Sequence, residues 1–129
     1  MHRWKSKRAS AIGLALAIGC GALVADRAHA DGALAMGTEP GRVWYGASSD
    51  RASAGEARSE AMRACRQHGP CRIETVFWNK CLAVAWVGHG NRYAWATRDT
   101  PGQAEGAALR ECEHNGSFCR VVESRCDRS

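Results

Sequence analysis

The sequence contains no C-x-x-C pair, no G-x-S-x-G turn and no unbroken apolar run of the roughly 20 residues that a spanning helix needs. Past its first thirty residues it also lacks any basic run interleaved with aromatics. Each absence closes a class. Without C-x-x-C there is no thioredoxin-like redox couple, and the spacings that do occur are too wide for the tight pairs of a structural zinc site. GASSD, from Gly46 to Asp50, is not the nucleophile elbow of a hydrolase. Neither a cofactor nor a metal is called for.

What is present begins with a leader. MHRWKSKR is cationic, the stretch from Ala9 to Ala25 is apolar apart from glycines and Cys20, and Ala28 and Ala30 form an A-x-A site. This reads as a secretory signal peptide over residues 1–30, cut after Ala30, followed by a flexible N-terminal segment over 31–41. A second reading cleaves at AIGC and leaves Cys20 lipidated. The whole chain carries 18 Lys and Arg against 13 Asp and Glu. Arg3, Lys5, Lys7, Arg8 and Arg27 fall in the leader with Asp26, leaving 13 against 12. The basic balance therefore belongs to targeting, and no nucleic-acid partner is expected.

The remaining 99 residues suffice for one small domain, which buries only about two-thirds of its unfolded surface and gains from crosslinks. Cys65, Cys71, Cys81, Cys112, Cys119 and Cys126 are an even set in an exported chain, as a disulfide framework requires. The expectation is one disulfide-bonded α+β domain over residues 42–129.

CRQHGPC (Cys65 to Cys71) is echoed by CEHNGSFC (Cys112 to Cys119), and the echo extends outward. Tyr45 matches Tyr93, S-A-G-E-A at Ser53 matches T-P-G-Q-A at Thr100, and C-R-I at Cys71 matches C-R-V at Cys119, all at offsets of 47 or 48. Two copies, 42–78 and 92–126, are expected, each a β-α-β unit. Ser53 with Glu56 and Thr100 with Gln103 form capping boxes, and Pro101 suits a first helical position. Ala57, Ala61 and Cys65, then Ala104, Ala108 and Cys112, put a small-residue stripe on helices over 54–67 and 101–115, stopped by Gly69 and Gly116. Residues 43–48, 72–78, 82–87, 92–97 and 120–126 read as strands. The order β-α-β-β-β-α-β predicts a two-layer fold, with about five strands in a single sheet and both helices on one face. Each helix then ends at a cysteine, reverses at glycine and meets a cysteine at the next strand. That picture selects Cys65–Cys71 and Cys112–Cys119, leaving Cys81–Cys126, among the possible connectivities.

Read together, YGASS, the paired C-R-V/I segments, F-W-N-K-C (Phe77 to Cys81) and Y-A-W-A (Tyr93 to Ala96) resemble the small secreted bacterial domain known as domain of unknown function 4189. The resemblance spans residues 42–126. It implies an exported, cysteine-bonded protein and carries no catalytic residues across.

No catalytic set is assigned. His68 and His114 sit at helix ends, where a cation suits the dipole, and His89 lies in the glycine-bounded hairpin G-H-G-N-R. Asp50 and Asp99 read as turn formers. In LAVAWV and RYAWAT the bulky side chains alternate with alanines. Large apolar side chains usually turn inward, which would leave the alanines outside. If the helices instead nest on the alanine face, Trp86, Tyr93 and Trp95 become an open surface for a partner. The function expected is binding of an unknown protein or cell-envelope ligand, in the periplasm or outside the cell. A cell-envelope hydrolase, with His89 near Asp50 or Asp99, and an inhibitor of another secreted protein are the alternatives.

Overall fold

The computed structural model describes residues 30–114 and 116–127, so the leader and Cys20 lie outside the described residues. Eight elements follow in order: β1 (Asp31–Glu39), β2 (Arg42–Arg51), α1 (Ala54–Arg66), β3 (Arg72–Phe77), β4 (Cys81–Val87), β5 (Tyr93–Arg98), α2 (Pro101–Cys112) and β6 (Cys119–Cys126). They form two units of one connectivity, β-β-α-β. The strands make two three-stranded antiparallel sheets, ordered β2-β1-β3 and β5-β4-β6.

Three expectations are corrected. The single sheet of about five strands is two separate sheets, and the helices do not share a face. Residues 31–39, expected to be flexible, are the central strand of the first sheet. The connectivity that the two halves share begins at β1 and at β4, one strand before the expected bounds at 42 and 92. The missing strand explains the missing sheet: the β2-α1-β3 crossover steps over β1, so β3 pairs with β1 rather than beside β2.

The helices begin where the capping residues put them. Ser53 Oγ accepts from the Glu56 amide at 3.1 Å and Thr100 Oγ1 from the Gln103 amide at 3.2 Å, satisfying first-turn donors that the helix itself cannot. Glu56 reaches back to the Ala52 amide at 3.3 Å. At the far end of α2, Gly116 takes φ 91° and its amide meets the Glu113 carbonyl at 2.8 Å.

Alternation along the two central strands builds the layers. In β1, Ala33 and Ala35 face α1 while Leu34 and Met36 face the other sheet; in β4, Ala83 and Ala85 face α2 while Leu82 and Val84 look across. Both faces of each sheet are thus covered, giving helix, sheet, sheet, helix. Small residues let the helices approach closely. A Cβ at Gly46 would collide with the Ala61 carbonyl and the Cys65 amide of α1.

The disulfides are Cys65–Cys71, Cys112–Cys119 and Cys81–Cys126. The first two tie each helix end to the start of the next strand, with Cα atoms 6.2 Å apart. The third joins register partners on β4 and β6. Beyond it, the fully buried Asp127 accepts from the amides of Asp50 (2.7 Å) and Asn79 (3.3 Å), two residues held at positive φ. Its own amide donates to the Lys80 carbonyl at 2.8 Å. Asp127 therefore pins a turn of the first unit and the link between the units.

Chain-entropy arithmetic for a sequence separation of 45 gives about 4 kcal/mol for Cys81–Cys126, against about 2 kcal/mol for either short bridge. The Cys81→Ser/Cys126→Ser pair should therefore lower the thermal unfolding midpoint more than either other pair does. Asp127→Ala strands two backbone donors and should cost about 3 kcal/mol in denaturant titration.

Candidate functional site

The sheets meet through side chains from their edge strands as well as their centres. β2 lies over β6: the Tyr45 hydroxyl is 2.9 Å from Glu123 Oε1 and 3.3 Å from the Val122 carbonyl. β5 lies over β3: the Tyr93 hydroxyl donates to Glu74 Oε2 at 2.9 Å, and Trp95 Nε1 donates to Glu74 Oε1 at 3.0 Å. Each carboxylate also accepts from an arginine two residues away on its own strand, Arg72 Nε to Glu74 at 3.3 Å and Arg125 Nε to Glu123 at 3.2 Å. Each unit therefore lends a tyrosine to the other unit's glutamate. A β-bulge occurs at the matching point of both partner strands, where β3 slips at Leu34/Ala35 and β6 at Val84/Ala85.

Placed this way, the phenols stay neutral donors. Burial first, then the hydrogen bond and charge of Glu123, pushes Tyr45 up to about 12, with Arg125 pulling the other way. Tyr93 is raised by burial and then by Glu74, opposed by Arg72. Glu74 in turn raises Arg72 above its ordinary value, chiefly through their hydrogen bond.

The aromatic residues singled out in sequence divide between the two clamps. Tyr93 and Trp95 converge on Glu74, whereas the Trp86 ring meets Tyr45 edge-on, with centroids 5.7 Å apart and planes at 68°. All three are half-buried at the rim of the inter-sheet layer. Both sequence alternatives for these strands are therefore partly replaced. The bulky face is core, yet the alanines do not look outward, because α2 covers them.

Beside the Glu74 clamp a recess of about 230 Å³ is lined by Met36, Gly37, Thr38, Pro70, Arg72 and Tyr93. The Arg72 side chain, 80% exposed, stands at this recess with the Tyr93 ring. Trp44 is buried nearby with its ring against Gly37 and Gly69, its Nε1 without a hydrogen-bond partner and the Arg42 guanidinium 4.4 Å above the ring. Sequence reading passed over Glu74, Glu123, Arg72 and Arg125. In RIETVF and CRVVESRC they are charged residues within strands of mixed polarity, and nothing local marks what they pair with.

The residues of the hydrolase alternative are not gathered. His89 is in the loop after β4, while Asp99 follows β5 at the opposite end of that hairpin, about 20 Å away along the strand. Asp99 pairs with Lys80 at 2.6 Å, and Asp50 is a left-handed turn residue. Among the described residues no three His, Cys, Asp or Glu side chains gather as a metal site, and no helix is long and apolar enough to cross a membrane.

Fold and site together define a small α+β domain of two stacked β-β-α-β units, locked by disulfides and by crossed tyrosine–glutamate pairs. The family model described as "Domain of unknown function (DUF4189)" matches residues 31–126, and the chain belongs to that family. No curated protein and no solved structure matches it.

A phenol whose folded pKa lies above its unfolded value near 10 adds stability at lower pH, and that stability is lost as pH climbs through about 12. The denaturation midpoint should therefore fall across that window. Tyr45→Phe should be about 1 kcal/mol less stable at neutral pH and show a shallower alkaline decline.

Proposed function

We propose that this protein is an exported, non-enzymatic interaction module that meets its ligand at the Arg72–Tyr93 end of the sandwich. The observation that carries the reading is the recess where an exposed guanidinium and a neutral phenol stand together at the rim of a rigid, disulfide-locked core. Trp86 and Trp95, half-buried beside Tyr93 on the same sheet, extend that rim with the aromatic surface typical of recognition sites. Three disulfides in so small a domain fit an oxidising compartment, periplasmic or extracellular. The cationic-then-apolar leader ending at Ala30 supports export, with Cys20 as the alternative lipid anchor. The shared connectivity of the two units supports an internal duplication. The ligand is a protein or a cell-envelope component carrying an anionic group for Arg72.

The inhibitor reading has an observation of its own. Phe118 is 90% exposed and sits against Cys119, inside the loop closed by the Cys112–Cys119 bridge. An aromatic on a pre-ordered loop suits insertion into a partner's pocket.

The test is capture from periplasm and culture medium by the tagged mature domain, with Arg72→Glu and Phe118→Ala beside it. Both substitutions lie on the surface and should leave the circular dichroism spectrum unchanged. The recess reading expects Arg72→Glu to lose the captured ligand and Phe118→Ala to keep it; the inhibitor reading expects the reverse. Equal capture by all three forms would reject both.

A further inference from the structure

Each helix leaves the strand before it along a groove, and the two grooves occupy matching places in the two units. That of the first unit is lined by Arg51, Gly55, Glu56, Ser59, Glu60 and Arg63. That of the second, about 360 Å³, has Arg98, Gly102, Gln103, Gly106 and Arg110 at the corresponding positions, 47 residues on. Ala107 stands where Glu60 would be. The arginines and the small residues recur in both grooves, and the two glutamates occur only in the first.

The first groove shows what its arginine holds. Arg63 Nη2 donates to Glu60 Oε1 at 2.7 Å, and two arginines face two glutamates there. In the second groove Lys80 is answered by Asp99 at 2.6 Å, while Arg98 and Arg110 form no ion pair with any described residue. Both guanidinia are nevertheless held at the groove. Arg98 Nη1 donates to the Thr97 carbonyl at 2.8 Å, which fixes it at the end of β5. Arg110 lies back over the helix toward Gly106, where a Cβ would stand 3.3 Å from its Nη1. Glycine in a helix interior is costly, and Arg110 is the one side chain among the described residues that takes up the space it leaves.

We infer that the α2 groove is a binding site for an acidic peptide segment, whose carboxylates take the places that Glu56 and Glu60 fill in the matching groove. Those two glutamates are one helical turn apart, which sets their Cβ atoms about 6 Å from one another and gives the spacing of the carboxylates the groove would receive. A guanidinium meets a carboxylate with two parallel hydrogen bonds, so Arg98 and Arg110 can each hold one. The groove is at the Arg98 end of β5, whereas the Arg72–Tyr93 recess is at the other end of that strand. The inference therefore stands apart from the ligand reading.

Calorimetric titration of the oxidised mature chain with hexaglutamate tests it. The expected result is one peptide bound per chain, weakened roughly tenfold by Arg110→Gln and again by Gln103→Glu, which returns a carboxylate to the groove. Arg72→Glu should leave the binding unchanged. Glu56→Gln combined with Glu60→Ala should open the first groove and raise the stoichiometry to two peptides, a gain that a misfolded chain cannot mimic. Absence of binding into the millimolar range overturns the inference. So does binding indifferent to Arg110→Gln and Gln103→Glu, binding lost with Arg72→Glu, or a stoichiometry that stays at one in the Glu56/Glu60 variant. Inorganic phosphate bound as tightly as the peptide, and lost with the same substitutions, overturns the assignment to an acidic segment.

Discussion

The interaction on which everything else depends is the burial of both faces of β1 and β4. A strand that alternates alanine with leucine, methionine or valine needs a shallow cover on one side and a deep one on the other. Helices striped with Ala57, Ala61, Ala104 and Ala108 supply the shallow cover, and the opposing sheet supplies the deep one. Neither unit alone can satisfy this demand, since its Leu34–Met36 or Leu82–Val84 face would be left in water. At about 25 cal/mol per Å² of apolar surface, covering that face stabilises the stacked pair over either unit alone. The disulfides act on top of it, fixing each helix to its sheet and β4 to β6.

The clamps follow from the same stacking. Once β2 lies over β6 and β5 over β3, a long side chain at the rim of one sheet falls within reach of the last strand of the other. Tyr45 and Tyr93 fill matching places, and Glu123 and Glu74 receive them. The carboxylates are not strictly matched in register, because Glu74 sits at the bulge of β3 whereas Val122 holds that place in β6. Equivalent hydrogen bonds have been reached from different positions, which points to the geometry of the interface as the constraint. The Glu74 clamp gains a third donor, Trp95, and it is the one that opens onto a recess.

Local chemistry was legible and long-range placement was not. Both helices, their capping residues and five of the six strands can be read from spacing, because each depends on neighbours within about ten residues; the sulfur pairing is one choice among many that spacing leaves open. β1 escaped because DGALAMGTE has glycine and alanine where β-branched residues would announce a strand, and because it adjoins the leader. Losing it merged two sheets into one and left Trp86, Tyr93 and Trp95 as a choice between core and surface. In the structure they are at the boundary between the two. Glu74 and Glu123 carry no local signal of their role, since a glutamate in a strand ordinarily faces water, and only the second sheet reveals what they accept from.

The position of Asp127 has a consequence for how the chain acquires its shape. The carboxylate that steadies Asp50 and Asn79 belongs to the residue that follows β6, and Cys126 beside it closes the bridge to Cys81. The first unit is made with its oily side bare and its turns unsupported, and both are covered only after the second unit, with Cys126 and Asp127, has followed it. Assembly therefore waits on the second half of the domain, and loss of the stretch from Cys119 to Asp127 would leave the first half in an adhesive, half-built form.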